Sequence, residues 1–307
     1  MVAHSLTLEI APAVDYLANN AHELSMQMRL EAAHVLVRAG LRLTEPMGLS
    51  HPAVFYGELG RIYDALGRYS EALAEFEKQY ASYATSFDLD DVVFAPCLGN
   101  LATAHNNLGE HAKAYELQTT MVDILNKQAT MPYGHLAGTY NNVSVTLLRM
   151  NRYDEALEYA NKALVEYRNA IPSDHDGEGR ALMAIANCQC KLRRFEDAIA
   201  THQQAITAFT NMYGQSHPLV ATELHNIACA LESLGRLDEA IVYGTKAAKV
   251  WNETMGPDHP QTKLHGGRWL SQAKKRRDTA AIAAAAAASA DQFAHQRQRA
   301  SGNTRLI

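Results

Sequence analysis

Cysteine is scarce in this chain: four residues, Cys97, Cys188, Cys190 and Cys229, among 307. So few, so irregularly spaced, they make no disulfide framework and imply reduced thiols in a cytoplasmic protein. Prolines number nine and charged residues make up 20% against 47% apolar, so the composition excludes a disordered chain and leaves enough apolar surface to fold. Long apolar runs are missing as well. Nowhere do eighteen apolar residues follow one another, and the N-terminal MVAHSLTLEIAPAVDYL has no basic start leading into an apolar stretch, so neither a membrane span nor secretion is expected. Positive charge is not in excess either. With 28 Lys and Arg against 33 Asp and Glu, the molecule as a whole has no electrostatic footprint for nucleic acid or acidic lipid.

Catalytic and cofactor signatures are equally thin. There is no glycine-rich phosphate loop, no G-x-S-x-G elbow and no H-E-x-x-H, so the expectation is a protein that is not an enzyme and takes no cofactor. His51, His217 and His259 recur one per loop, which points to a structural loop role rather than a metal site. Cys188-x-Cys190 lacks zinc spacing, and the DHDGE at 174–178 ends in Ile185 where a calcium loop needs a bidentate Glu. KKRR at 274–277 reads as the polar end of a helix in preference to a nuclear address or nucleic-acid patch.

What is present is a period. LGRYSEAL, LGEHAKAY, MNRYDEAL, LRRFEDAI and LGRLDEAI place alanines at Ala72, Ala114, Ala156, Ala198 and Ala240, each 42 residues after the last. A strict period in this range means stacked supersecondary units, none able to bury its apolar face alone. Apolar residues recur at helical spacing before and after each LG turn, so the unit is an antiparallel helix pair. A second column, Gly60, Ala102, Ser144, Ala186 and Ala228, is also held small, as a close helix crossing requires. Between copies, EPMGLSHPAV, NMYGQSHPLV and ETMGPDHPQT combine a glycine suited to the end of one helix with a proline suited to the first turn of the next.

A small residue, an alanine twelve positions later and an aromatic or Leu after the turn resemble the tetratricopeptide pattern. The 42-residue form, with G-x-x-H-P loops and stretches such as GNLATAH, NNVSVTL and HNIACAL, resembles the repeat region of kinesin light chain. The resemblance implies an all-α fold, a right-handed superhelical solenoid of antiparallel helix pairs. Its divisions are 1–52, a divergent N-terminal repeat; 53–262, five regular 42-residue repeats; 263–295, a divergent C-terminal repeat with capping helices; and 296–307, a flexible tail. No heptad segment of the kind kinesin light chain uses to hold its heavy chain accompanies them.

In such solenoids the first helices line the concave face. Sorted by copy, the residues on that stripe are Arg61; Asn100, Thr103 and Asn107; Asn141, Asn142 and Arg149; Arg180, Asn187 and Lys191; Asn226; and Arg268 with Lys275. The face is rich in asparagine and positive. Asparagine can pair with the backbone of an extended peptide, and arginine favours carboxylates. By resemblance, the matching Asn100, Asn142 and Asn226 contact the ligand backbone. Asn187, Asn226 and Arg268 look like part of a carboxylate clamp, but the matching lysine positions hold Met183 and Leu264, so a chaperone tail is not expected. The expected function is a cytoplasmic adaptor that binds an extended, acidic or polar peptide of another protein. The alternatives are a self-associating scaffold and, less favoured, an RNA-binding helical repeat using Arg149, Arg180, Lys191 and Lys275.

Overall fold

The computed structural model describes residues 2–26, 29–44, 52–85, 87–88, 92–127, 133–170 and 174–303, and among them every regular element is a helix. They fall into two compact units, Met1–Ser173 and Asp174–Ile307. The first holds α1 (Val2–Met26), α2 (Leu30–Thr44), α3 (Pro52–Ala65), α4 (Tyr69–Ala84), α5 (Phe94–Asn107), α6 (His111–Asn126), α7 (Tyr133–Arg149) and α8 (Tyr153–Asn169). Consecutive helices pair as α1/α2, α3/α4, α5/α6 and α7/α8, and each hairpin packs on the next. In the second unit, α9 (His175–Lys191) pairs with α10 (Phe195–Tyr213) and α11 (Pro218–Ser233) with α12 (Leu237–Met255). A π-helical stretch, Thr262–Trp269, and α13 (Leu270–Asn303) then pack on α12, and α13 runs into the 296–307 segment that the sequence marks as a tail.

The expected close crossings are there. Ala72, Ala114, Ala156, Ala198 and Ala240 have no exposed surface, and Gly60, Ala102, Ser144, Ala186 and Ala228 are all buried. At Gly60 the reason is visible: a Cβ would fall within the ring of Phe76, on the partner helix.

Each turn within a hairpin solves one backbone problem the same way. Gly67, Gly109, Asn151, Arg193 and Gly235 all have φ between 61° and 82°. The next residue's N–H then reaches back to a carbonyl of the first helix, from Arg68 to Tyr63 at 2.8 Å and from Arg194 to Gln189 at 2.8 Å. This satisfies carbonyls the helix end would leave orphaned. The same next residue also anchors a local ion pair: Arg68 with Glu71, Arg152 with Glu155, Arg194 with Asp197, Arg236 with Glu239. In the second copy the signs are exchanged, with Glu110 holding Lys113. Hydrogen bonds from these partners keep Glu71, Glu110, Glu155 and Glu239 below the usual carboxylate range.

Between hairpins, the glycines do what the loops require. Gly214 and Gly256 end α10 and α12 with φ of 83°. His217 and His259 have the expected structural role, and its chemistry is helix capping: Nδ1 accepts from Leu219 N at 3.3 Å and from Gln261 N at 3.2 Å. His51 lies outside the described residues.

Two outcomes check this packing. Ala156→Leu costs about 1–3 kcal/mol by overpacking a zero-clearance crossing, read as a lower urea midpoint; an unchanged midpoint would contradict the register. Arg193→Gly removes the left-handed strain of a non-glycine residue and raises stability by about 1 kcal/mol, seen as a higher thermal midpoint, whereas a drop would mean that the Arg193 side chain matters more than its backbone.

Candidate functional site

The thirteen residues picked from the first-helix stripe are all half-buried or exposed, and the structure sorts them by what their polar groups already do. In the first unit, Arg61 pairs with Glu58, a carboxylate only 1% exposed that also meets His22 at 2.7 Å. Asn100 donates to Gln79 Oε1 at 3.3 Å. Asn107 reaches one copy back to donate to Asp64 at 2.7 Å, and Arg149, one copy further on, reaches back likewise to the carbonyl of Asn106 at 3.3 Å. Thr103 donates its hydroxyl to Gly99 O. Asn141 keeps a buried carbonyl oxygen without a partner among the described residues.

Four of the thirteen come together. Thr103, Asn107, Asn142 and Arg149 line a cleft of about 150 Å³ where α5, α6 and α7 meet, joined by Asn106, Gln118 and Val145. Among the described residues no carboxylate pairs with Arg149, and the Asn142 amide makes no hydrogen bond. The floor is fixed by Asn106, whose Nδ2 donates to Thr146 at 2.7 Å while Oδ1 meets His111 at 3.0 Å. Arg61, Asn100 and Asn141 do not line this cleft. Gln118 was not on the sequence-derived stripe because it lies on a second helix; the only trace of it is a polar residue in a column whose other occupants are Phe76, Ala160, His202 and Gly244.

In the second unit Arg180 is held by Asp176 at 2.7 Å, and Asn226 leans on the buried Glu223 at 3.5 Å. Glu223 in turn meets His202 at 2.6 Å, both side chains almost wholly out of solvent. Asn187 and Lys191 make no side-chain hydrogen bond among the described residues. Arg268 lines a separate cleft of about 410 Å³ with His225, Leu264, His265, Trp269 and Gln272. The histidines and tryptophans here form one cluster that sequence reasoning missed. His265 Nδ1 lies 3.0 Å from His225 Nε2, and the His225 ring sits 5.6 Å from Trp251 and 5.1 Å from Trp269. Trp269 finds its seat over Gly244, where any Cβ would fall inside the indole.

The other motifs resolve into structure. Asp174 caps α9 by accepting from Gly177 N at 2.8 Å, and Asp176 holds Arg180. Within KKRR, Arg276 pairs with Glu232 and Arg277 with Asp278. All four cysteines are free thiols. Burial raises Cys97 to about 12 and Cys229 to about 11, which leaves both unreactive near neutrality. Among the described residues, no three His, Cys, Asp or Glu side chains are arranged to hold a metal ion, and no helix is long and apolar enough to cross a membrane.

Family models for the tetratricopeptide repeat match residues 53–83, 135–211 and 177–249. The chain carries tetratricopeptide repeats. Solved structures agree at the level of fold. The kinesin light chain TPR-like repeats of Podosopora anserina align at a TM-score of 0.58 and 19% identity over 67% of this chain and 99% of that one. BtubC (BKLC) of P. vanneervenii gives 0.60 and 15% over 81% and 94%. A Rap protein complexed with competence and sporulation factor gives 0.57 and 14% over 80% and 79%. No curated protein matches.

The His–Trp cluster closing the last of these repeats carries a pH prediction. Burial, and then the neighbouring His265, push the His225 imidazole down to about 4; burial lowers His265 too. Both rings bind protons more readily in the unfolded chain, so their contribution is complete above about 6.5 and is lost as pH falls toward 4. Fluorescence of the two tryptophans, Trp251 and Trp269, therefore changes in that window. In His225→Gln the midpoint moves down by about half a pH unit; an unmoved midpoint would assign the transition to other groups.

Proposed function

We propose that this protein is a non-catalytic interaction module that holds an extended, polar or acidic peptide segment of another protein against its first-helix faces. The observation that carries this reading is the cleft at Thr103, Asn107, Asn142 and Arg149. Most polar groups on these helices are already paired within the fold. Here, among the described residues, a guanidinium without a carboxylate and an amide without a protein partner stand together, free to pair with a ligand. With about 150 Å³ the cleft takes a side chain or a short turn of backbone, so specificity beyond it requires the ligand to continue along the face. The Rap protein of like fold, crystallised with competence and sporulation factor, is a precedent for ligand capture by such a stack. We also propose a cytoplasmic location, a reading supported by four cysteines too few and too irregularly spaced for a disulfide framework.

A displayed random-peptide library tests this. Wild type enriches a family of sequences, and Asn142→Ala with Arg149→Ala lowers that enrichment by at least about tenfold, the loss expected from one charge-assisted contact, while helicity by circular dichroism is unchanged. Equal enrichment by both proteins would remove this face from consideration. If instead the chain binds RNA with an affinity that collapses between low and moderate salt, the nucleic-acid alternative takes its place.

A further inference from the structure

Resting on that reading, we propose that the cleft between α5, α6 and α7 selects a carboxamide, the side chain of an Asn or Gln in the ligand peptide, in preference to a carboxylate.

Donors and acceptors are unevenly used. One N–H of Asn107 Nδ2 is committed to Asp64, and its Oδ1 is left as an acceptor. The Thr103 hydroxyl proton is committed to Gly99 O, so its oxygen too is left to accept. Gln118 is only 4% exposed, and its Oε1 is buried with no donor. The reason emerges from the repeat itself. At the equivalent position two copies on, His202 finds its partner in Glu223, twenty-one residues later. Twenty-one residues after Gln118 stands Thr139, whose hydroxyl donates to His135 O within its own helix at 2.8 Å. Among the described residues nothing supplies Gln118 Oε1 with the donor it lacks.

Set against these three acceptors are the remaining N–H groups of Arg149, the Gln118 Nε2, the second N–H of Asn107 and the amphoteric Asn142 amide. A carboxylate answers Arg149 but brings its own lone pairs against three acceptors, with Asp64 just behind Asn107. An ammonium answers the acceptors but faces Arg149. A primary carboxamide presents a carbonyl to the guanidinium and an NH₂ to the acceptors, so it matches both sets and brings two N–H donors where a hydroxyl or a neutral imidazole brings one.

The same displayed library, followed by synthetic peptides, decides it. Selected sequences carry Gln or Asn at one position; replacing that residue by Glu or by Leu weakens binding about tenfold in fluorescence anisotropy at near-physiological salt. Gln118→Leu, or Thr103→Val at an exposed position that tolerates the change, reduces the Gln-over-Leu preference to about twofold or less. A preference for Glu over Gln would overturn the proposal and assign the cleft to carboxylates. Equal binding of all three peptides would leave a groove without this subsite. Enrichment of nothing, by wild type and by the Asn142→Ala, Arg149→Ala variant alike, would overturn the peptide-binding reading on which the proposal rests.

Discussion

An alanine with no exposed surface at a helix crossing leaves no slack between two backbones, and in this chain that contact recurs every 42 residues. Ala72, Ala114, Ala156, Ala198 and Ala240 lie wholly buried on the second helices of their hairpins, and Gly60, Ala102, Ser144, Ala186 and Ala228 are buried on the first. Close approach fixes the angle and depth of every hairpin, and the angle fixes which residues of the first helix remain at the surface. Whatever the first-helix face binds, its shape is set by side chains that never touch the ligand.

Around that constant crossing the filling varies, because volume can be exchanged between neighbours. Phe76 is large where Gly60 opposite is small, and Gly244 admits Trp269. The column that holds Phe76 in one copy holds Gln118, Ala160, His202 and Gly244 in the others. Buried ionisable occupants find partners: His202 has Glu223, and Glu58 has His22 and Arg61. Leaving a buried polar group unmatched costs free energy, typically about 1–3 kcal/mol, and Gln118 Oε1 is one such atom, set at a cleft wall.

What was legible in the sequence was whatever depends on backbone geometry repeated in place. The small columns, the glycines ending helices and the His-Pro loops each reflect a local requirement that few residue types satisfy, so they survive as a visible period. The turn column is the instructive variant, since Asn151 and Arg193 take the left-handed conformation that glycine takes elsewhere. The face residues were found by the same periodicity, but not their availability. Arg180 and Asp176 are four residues apart, Asn107 and Asp64 forty-three, and only the folded chain shows which amides and guanidinia these contacts use up. Gln118 and the cluster of His225, His265 and Trp269 escaped because they arise from contact between elements, which no single period encodes.

The exchanged signs of Glu110 and Lys113, against Arg followed by an acid in the other four turns, have a meaning for how such an array grows. Each ion pair is closed within one hairpin, so a duplicated or relocated hairpin carries both charges along. Inversion in a single copy shows that the two positions answer to each other, while a contact such as that of Arg152 over the Tyr115 ring of the preceding hairpin, at 4.7 Å, is added by the stack. Modules wired this way can be added, lost or reordered by recombination with their electrostatics intact.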